Sequence, residues 1–484
     1  MKKPSHTLLG LFLVICGCTV GPDYVKPHVE VPVAFKEATP SVAQISPPKG
    51  WKMAQPEDDA VRGSWWIPFH DPVLNALICQ VAVSNQNIMQ AEAQYRQALA
   101  LVNQTRAGFF PTVSSNADVS RSKTSTFNNL NSESGSNSDF GDNVSNNYRL
   151  TFDATWEPDL WGSLRRNVEA NRAAASASFA ELALTTLSMQ ATLAQTYFQL
   201  RGLDGDQRVL DNTLHNYQKL LKITRNRYDV GVASKGDVLQ VQSQLEQAEV
   251  AAIDNRINRA VYEHAIAVLI GMPPAHFSLP PCDDRNEVPS IPVEVPSTLL
   301  ERRPDIAQAE RLVAEANAQI GVAIAAYFPV LTLSGNYGWN TNHFPQMFSG
   351  PASLWSLGSQ LAQTLFDAGA RWANVQGTKA NYDATVANYR QVVLSAFQEV
   401  EDNLATLRIL EKELKVQQNA LQTARQSLQL VMNEYQAGTK GLTDVLLAEV
   451  TVYTAEKNTN DIEYRRFIAA VGLIKAMGGG WDFS

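Results

Sequence analysis

Few residues of this chain stand where chemistry could be done, and the run Ile15-Cys16-Gly17-Cys18 is the clearest of them. An aliphatic residue, a spacer and a small residue ahead of a thiol are what lipoprotein processing needs. Gly17 fits the peptidase, and the Cys18 thiol takes the diacylglycerol. Cys16 is the poorer acceptor, because bulky Ile15 precedes it. Upstream, Lys2 and Lys3 form a positive region and Leu8 to Ile15 a short apolar one, so residues 1–17 read as a signal peptide, too short to span a bilayer. Acyl chains on Cys18 would hold the mature N-terminus at a membrane surface. Thr19, where an Asp would retain a bacterial lipoprotein at the inner membrane, favours passage to the outer one.

The remaining chemistry-bearing residues form no constellation. Cys79 and Cys282 stand alone, in no zinc or redox spacing, and a disulfide between them is open as far as sequence goes. The 7 histidines are scattered, and His215, His264 and His276 read as surface or packing residues. No Gly-rich phosphate loop, metal-spaced cluster or nucleophile elbow occurs, so the chain does not read as an enzyme and calls for no cofactor or metal. A net charge of -8 gives no footprint for nucleic acid. Mean hydropathy is -0.19, and no apolar run past the leader reaches the length of a spanning helix. That leaves a β-barrel open, since alternating strands leave little hydropathy trace.

The elements that surround these residues come in two copies. Tyr228-Asp229-Val230-Gly231 matches Tyr435-Gln436-Ala437-Gly438, Asp237-Val238-Leu239 matches Asp444-Val445-Leu446, and Gly271 matches Gly478, all at an offset of 207. Upstream, Phe110-Pro111 matches Phe328-Pro329 at 218, and Leu160-Trp161 matches Leu365-Phe366 at 205. The first copy therefore carries extra residues, and the Ser/Asn/Gly-rich stretch 120–148, too polar to pack a core, holds them. The second copy has a shorter, more aromatic loop at about 340–353. Each loop is flanked by residues that alternate with period two, at 112–119 and 148–156, then at 330–337 and 353–361. That is a strand signal, and strands of this length with aromatics near their ends suit a membrane barrel.

Between the hairpins the apolar residues change to steps of three, four and seven. Ala180, Leu184, Leu187, Ala191, Ala194 and Phe198 do so in the first copy, and Val386, Tyr389, Val393, Ala396 and Val400 in the second. This spacing predicts long antiparallel coiled-coil helices. Glycines place turns near Gly202–Gly205, and the repeat places others near Leu410–Lys412. The expected order is an extended segment at 18–64, a first repeat at 65–271, a Pro-rich connector at 272–304 and a second repeat at 305–484. Two copies give four strands, too few for a single-chain barrel, and an open sheet edge cannot face lipid. Strand counting thus points to a homo-oligomer.

At this point the residues resemble a family. The run Cys18-Thr19-Val20-Gly21-Pro22-Asp23-Tyr24 belongs to the resemblance, with Trp65-Trp66, Phe69, Asp71-Pro72 and Phe109-Phe110-Pro111. Trp156 to Gly162, Arg302-Arg303-Pro304-Asp305, Tyr327-Phe328-Pro329, Phe397 to Asp402 and Tyr435 to Gly438 complete it. Over almost the whole mature chain this is similar to the TolC-type outer-membrane factors, in particular the NodT/OprM-like lipoproteins of tripartite efflux pumps. Pro158, where an aliphatic residue is commoner, departs from the pattern at one strand-to-helix corner.

The resemblance implies an α+β membrane channel. Three chains of four strands would make a 12-stranded β-barrel, continued by an α-helical coiled-coil tunnel in the periplasm. Its partners would be a periplasmic adaptor and a proton-driven inner-membrane transporter that supplies the energy. Small toxic compounds such as drugs are the implied cargo, with a type I protein-secretion duct as the alternative and a poreless spacer lipoprotein as the more distant one. The adaptor would meet the helix turns, which the sequence places at Leu203, Asp204, Leu410 and Glu411.

Asn381, Asn388, Ser395 and Asp402 lie seven apart and so form one stripe, a candidate lumen lining beside the packed seam. The resemblance puts an acidic ring at the tunnel's narrow end, and the Phe397–Asp402 match carries that role to Asp402. Three such carboxylates around one axis would repel and attract cations. Arg408, six residues on, is the candidate cation that holds them closed.

The leader generates the first prediction. Intact-mass analysis of membrane-extracted protein is expected to give a chain that begins at acylated Cys18, and an unmodified Cys18 or a different N-terminus refutes it. Cys18→Ala should lose the lipid and stay in the membrane, because a barrel holds the bilayer by itself.

Overall fold

The computed structural model describes residues 19–37, 63–123, 144–282, 287–289, 291 and 296–479; Cys16, Cys18 and the centre of the first polar loop lie outside them. Helices α1 (Pro72–Ser84) and α2 (Gln86–Ala107) lead into strands β1 (Thr112–Lys123) and β2 (Val144–Trp156). Helices α3 (Ser163–Asp229) and α4 (Lys235–Leu269) complete the first half. The second half repeats the series as α5 (Pro304–Ala325), β3 (Val330–Thr341), β4 (Ser353–Ala362), α6 (Ala370–Gln436) and α7 (Leu442–Ala476).

The two halves match in length as well as in order. Helices α3 and α6 each have 67 residues, and α4 and α7 each have 35. At 1.5 Å per residue, α3 and α6 are each about 100 Å long. Their ends are set by local chemistry. Gly231 and Gly438 adopt φ of +77° and +81°, a left-handed conformation natural only to glycine, and reverse the chain there. Ser234 then caps α4, accepting from the Asp237 amide at 3.1 Å while the Asp237 carboxylate accepts from the Ser234 amide at 2.8 Å. Asp444 accepts from the Gly441 amide at 3.2 Å in the equivalent place on α7.

The turns therefore differ from those expected at Gly202–Gly205 and Leu410–Lys412, both of which lie inside unbroken helix. The glycines serve packing. A Cβ on Gly202 would press on the Tyr464 ring, and one on Gly205 would collide with the Asn460 amide. Asn460 Nδ2 uses that closeness to donate to the Gly202 carbonyl at 2.8 Å and to Asp206 at 2.7 Å. Burial pushes the Asp206 carboxyl up, and this amide partly offsets it. A glycine inside a helix costs about 1 kcal/mol against alanine, so an unbroken helix keeps one where tertiary contact outweighs propensity. Leu410 is buried against Leu414 and Ile462 and likewise ends nothing.

Contacts group the chain into two compact units, each drawn from both halves. The first contains Arg96–Ser176 and Arg311–Ala387 with the N-terminal residues, and it holds the sheet. In it the N-terminus is pinned. Arg166, nearly fully buried, donates to the Val20 carbonyl at 3.2 Å and pairs with Asp23 and Glu169 at 2.8 Å. Gly21, with φ of +100°, lies against Gly321 so closely that neither position has room for a side chain.

The second unit contains His28–Tyr95, Ala177–Glu310 and Asn388–Ser484. Its core joins Trp65, Phe69, Ile78, Tyr197, Ile266 and Val471, with Phe198 stacked on Phe467 at 4.8 Å. Asp71 caps α1, accepting from the Val73 and Leu74 amides at 2.9 and 3.0 Å and from the Tyr197 hydroxyl. Burial and that carboxylate push the Tyr197 hydroxyl pKa up. Arg303 ties three segments together: it pairs with Asp305 at 2.6 Å and with Glu399 at 2.8 Å, and donates to the Ala476 carbonyl at 2.8 Å. Cys79 and Cys282 are free thiols, so no disulfide joins them.

Gly205 supplies a prediction. An alanine in an ordinary helix interior would stabilise by about 0.5–1 kcal/mol. Gly205→Ala should instead lower the melting temperature, and Asn460→Ala should relieve that loss in the double variant. A stabilised single variant would remove the close-packing account.

Candidate functional site

The four strands form one antiparallel meander in the order β1-β2-β3-β4, so β2 and β3 pair across the two halves of the chain. Residues directly opposite in register point to the same face. Phe152 lies opposite both Ser115 and Tyr337, and Tyr337 opposite Trp355. Following that register, one face carries Val113, Ala117 and Val119, then Leu150, Phe152 and Trp156. Leu331, Leu333, Tyr337 and Trp339 continue it, and Trp355, Leu357 and Leu361 complete it. Trp355, Leu357 and Leu361 are 67–80% exposed, so among the described residues nothing covers this part of the apolar face.

The opposite face is polar. Ser114, Asn116, Asp118, Arg149, Thr151, Asp153, Ser334, Asn336, Ser356 and Gln360 occupy it. Its centre is hydrogen-bonded across three strands: the Asp153 carboxylate accepts from Asn116 at 2.9 Å, from Thr151 at 3.1 Å and from Asn336. Asp118 and Arg149 stand opposite each other in register. A sheet with one aromatic-rich apolar face and one wet face separates lipid from water. At its foot, Trp161 stacks on Phe328 at 4.8 Å and donates to the Pro329 carbonyl at 2.8 Å, so the Leu160-Trp161 and Phe328-Pro329 motifs meet.

The four stripe residues lie on α6. Asn381, Asn388 and Asp402 are exposed and Ser395 is half-buried, beside the buried Tyr389, Val393, Ala396 and Val400. Asp402 accepts from Gln398 at 3.3 Å. It does not lie next to a turn: α6 ends at Gln436, 436 − 402 = 34 residues on, or about 50 Å of helix. Arg408 is also placed otherwise. It pairs with Glu37, and the neighbouring Glu401 accepts from the Lys36 and Glu37 amides at 2.7 and 3.0 Å. Arg408 thus straps the N-terminal segment to α6, and the expected Asp402–Arg408 pair does not form within the chain. Leu203, Asp204, Leu410 and Glu411 sit mid-helix. Asp204 is buried between Arg201 at 2.9 Å and Arg259 at 2.7 Å, while Lys415 holds the exposed Glu411 carboxyl below its usual range.

The true helix turns carry a site that the sequence showed only as a repeated tyrosine. Arg227 Nη1 donates to the Tyr435 carbonyl at 2.7 Å, with the guanidinium 4.6 Å from the Tyr435 ring centre. Tyr435 is buried with Tyr217, Leu221, Val238, Leu442 and Val445, so the first half's hairpin grips the second's. Val230 and Val232 at the first turn are exposed.

A two-faced strand meander joined to 67-residue coiled helices defines an outer-membrane channel subunit with a periplasmic extension. The sequence pattern of the family described as outer membrane efflux protein matches residues 77–272 and again 295–479, and the chain belongs to that family. It is 30% identical over 483 residues to the probable efflux pump outer membrane protein TtgC of Pseudomonas putida, covering 99% of this chain and 96% of TtgC. It is 25% identical over 474 residues to the cation efflux system protein CusC of Escherichia coli, covering 97% of each. Among solved structures it is similar to the MtrE outer membrane channel of Neisseria gonorrhoeae, with a TM-score of 0.79 and 27% identity over 96% of this chain and 98% of MtrE.

The two faces should answer differently to the same charge. Leu357→Lys, on the apolar face, is expected to cost about 2–4 kcal/mol of barrel stability, read as a lower melting temperature in detergent. Ser356→Lys, one residue away on the polar face, should keep stability near the parent's and change ion selectivity in planar bilayers. Equal losses would show that the faces are misassigned.

Proposed function

We propose that three copies close one 12-stranded barrel and together form the exit duct of a tripartite efflux pump. The duct passively conducts small molecules such as drugs or other toxic compounds. A periplasmic adaptor and an inner-membrane transporter deliver that cargo, and the transporter supplies both the energy and the choice of substrate. The lipid on Cys18 adds a second hold on the outer membrane. The adaptor meets the helix turns at 230–234 and 437–441, where Val230 and Val232 are exposed, in place of the mid-helix residues first assigned to it.

One observation carries this reading. Strands β1 and β4 each have a neighbour on one side only, in a sheet whose apolar face is uncovered. Unpaired backbone groups cannot remain in hydrocarbon, so β4 of one copy must pair with β1 of the next. TtgC and CusC, named for efflux, support the transport role, and their different names leave the cargo open.

The internal repeat templates a register for that junction. The observed pair Ala117–Leu150 matches the observed pair Gly335–Leu357, so β3 maps back onto β1 at 218 and β2 maps onto β4 at 207, and the pair Ala154–Gly335 becomes Leu361 opposite Ala117 of the next copy. In a chain with Cys79→Ser and Cys282→Ser, the pair Ala117→Cys and Leu361→Cys should oxidise to a covalent trimer on a non-reducing gel. Protein that stays monomeric, in the gel and by light scattering, would sink the shared barrel. Cross-links at a shifted register would keep the barrel and remove the templating.

A further inference from the structure

The helix turns contain one contact that the second half of the chain could not repeat with its own residues. Inside the chain, Arg227 of the first half holds Tyr435 of the second, and Leu442 packs beside Tyr435. Carried forward by the offset of 207, the next joint brings the second half's counterpart of Arg227 to the first half's counterparts of Tyr435 and Leu442. Those residues are Glu434 (434 − 227 = 207), Tyr228 (435 − 228 = 207) and Lys235 (442 − 235 = 207). The cation has become an anion, and the leucine beside the tyrosine has become a cation. Either change alone would spoil the contact: a carboxylate gains nothing from the negative face of a ring, and a lysine beside arginine would repel. Together the two changes restore a match of opposite charges.

The surfaces agree. Tyr435 is buried, whereas Tyr228 is 42% exposed, so only the first of the two tyrosines finds its cover within the chain. Lys235 Nζ sits 5.7 Å from the Tyr228 ring centre, poised over the same residue that an approaching Glu434 would meet. Among the described residues neither Glu434 nor Lys235 has an ion-pair partner in its own chain. We propose that Glu434 of one copy pairs with the partner subunit's Lys235 across the partner's Tyr228, closing the joint between chains at the helix turns. This rests on the trimeric reading above and adds the identity and the character of that joint. The joint inside a chain is an arginine on a ring and a backbone carbonyl, buried and little affected by salt. The joint between chains is an exposed ion pair, screened by salt and replaceable by a partner's charges. The turns are therefore set to part between chains and not within them.

A carbodiimide joins a carboxylate to an amine only where the two already touch, which suits the whole trimer. Equal amounts of isotopically light and heavy chains would be dissociated, reassembled and treated at low salt, then digested for mass spectrometry. A mixed light–heavy Glu434–Lys235 peptide is expected. It should vanish in Glu434→Gln, fall severalfold at 1 M salt, and return in the swapped double variant Glu434→Lys with Lys235→Glu. The disulfide between Ala117→Cys and Leu361→Cys, measured in the same preparations, reports the trimer independently. A covalent trimer without the mixed peptide, or with the peptide only within one chain, overturns this joint and leaves the channel reading intact. Loss of the disulfide trimer as well overturns the channel reading itself.

Discussion

A backbone amide left without a partner in hydrocarbon costs several kcal/mol, and a four-stranded sheet leaves a row of them on each of its two edges. Most of what this chain does follows from that constraint. The apolar face of the meander is exposed at Val113, Phe152, Tyr337 and Leu361 among the described residues, and it belongs in lipid. The polar face, knit by Asp153 to Asn116 and Asn336, belongs in water. A sheet of this kind has no stable state as a lone four-stranded ribbon in a bilayer, so its edges need partner strands.

Duplication is an economical answer to that requirement. A chain built from two equivalent halves already contains one finished junction, β2 against β3, whose geometry any further junction can copy. The same holds along the helices, where α3 and α6 match residue for residue in length. Departures from the repeat are then informative. Trp161 stacks on Phe328 within the chain, while its counterpart Phe366 and the counterpart of Phe328, Phe110, are both exposed.

Polar residues hold the helices in place more than they conduct. Arg166 fixes the N-terminal residues Val20 and Asp23, and Arg303 ties the connector to α6 and to the end of α7. Arg408 and Glu401 strap residues 36–37 onto α6. The guanidinia of Arg166 and Arg303 satisfy carbonyl oxygens as well as carboxylates, which suits a protein whose long helices must be joined by loops without regular hydrogen bonding. Several motifs that resemble functional signatures are anchors of this sort, Arg303-Pro304-Asp305 above all.

The sequence by itself determined the repeat, the four strands and the coiled-coil seam, because each leaves a periodic trace along the chain. It also determined the family, through motifs spread over nearly the whole length. It misplaced the helix turns, because Gly202 and Gly205 look the same in sequence whether they break a helix or admit Asn460 and Tyr464 against it. That error moved Asp402 next to a turn that lies 34 residues away, and it took Leu203, Asp204, Leu410 and Glu411 for surface corners. Only the tertiary structure decided that Arg408 turns to Glu37 and that Arg227 covers Tyr435. These contacts join residues 208 to 371 positions apart, and no local period records which distant side chain a charge will meet.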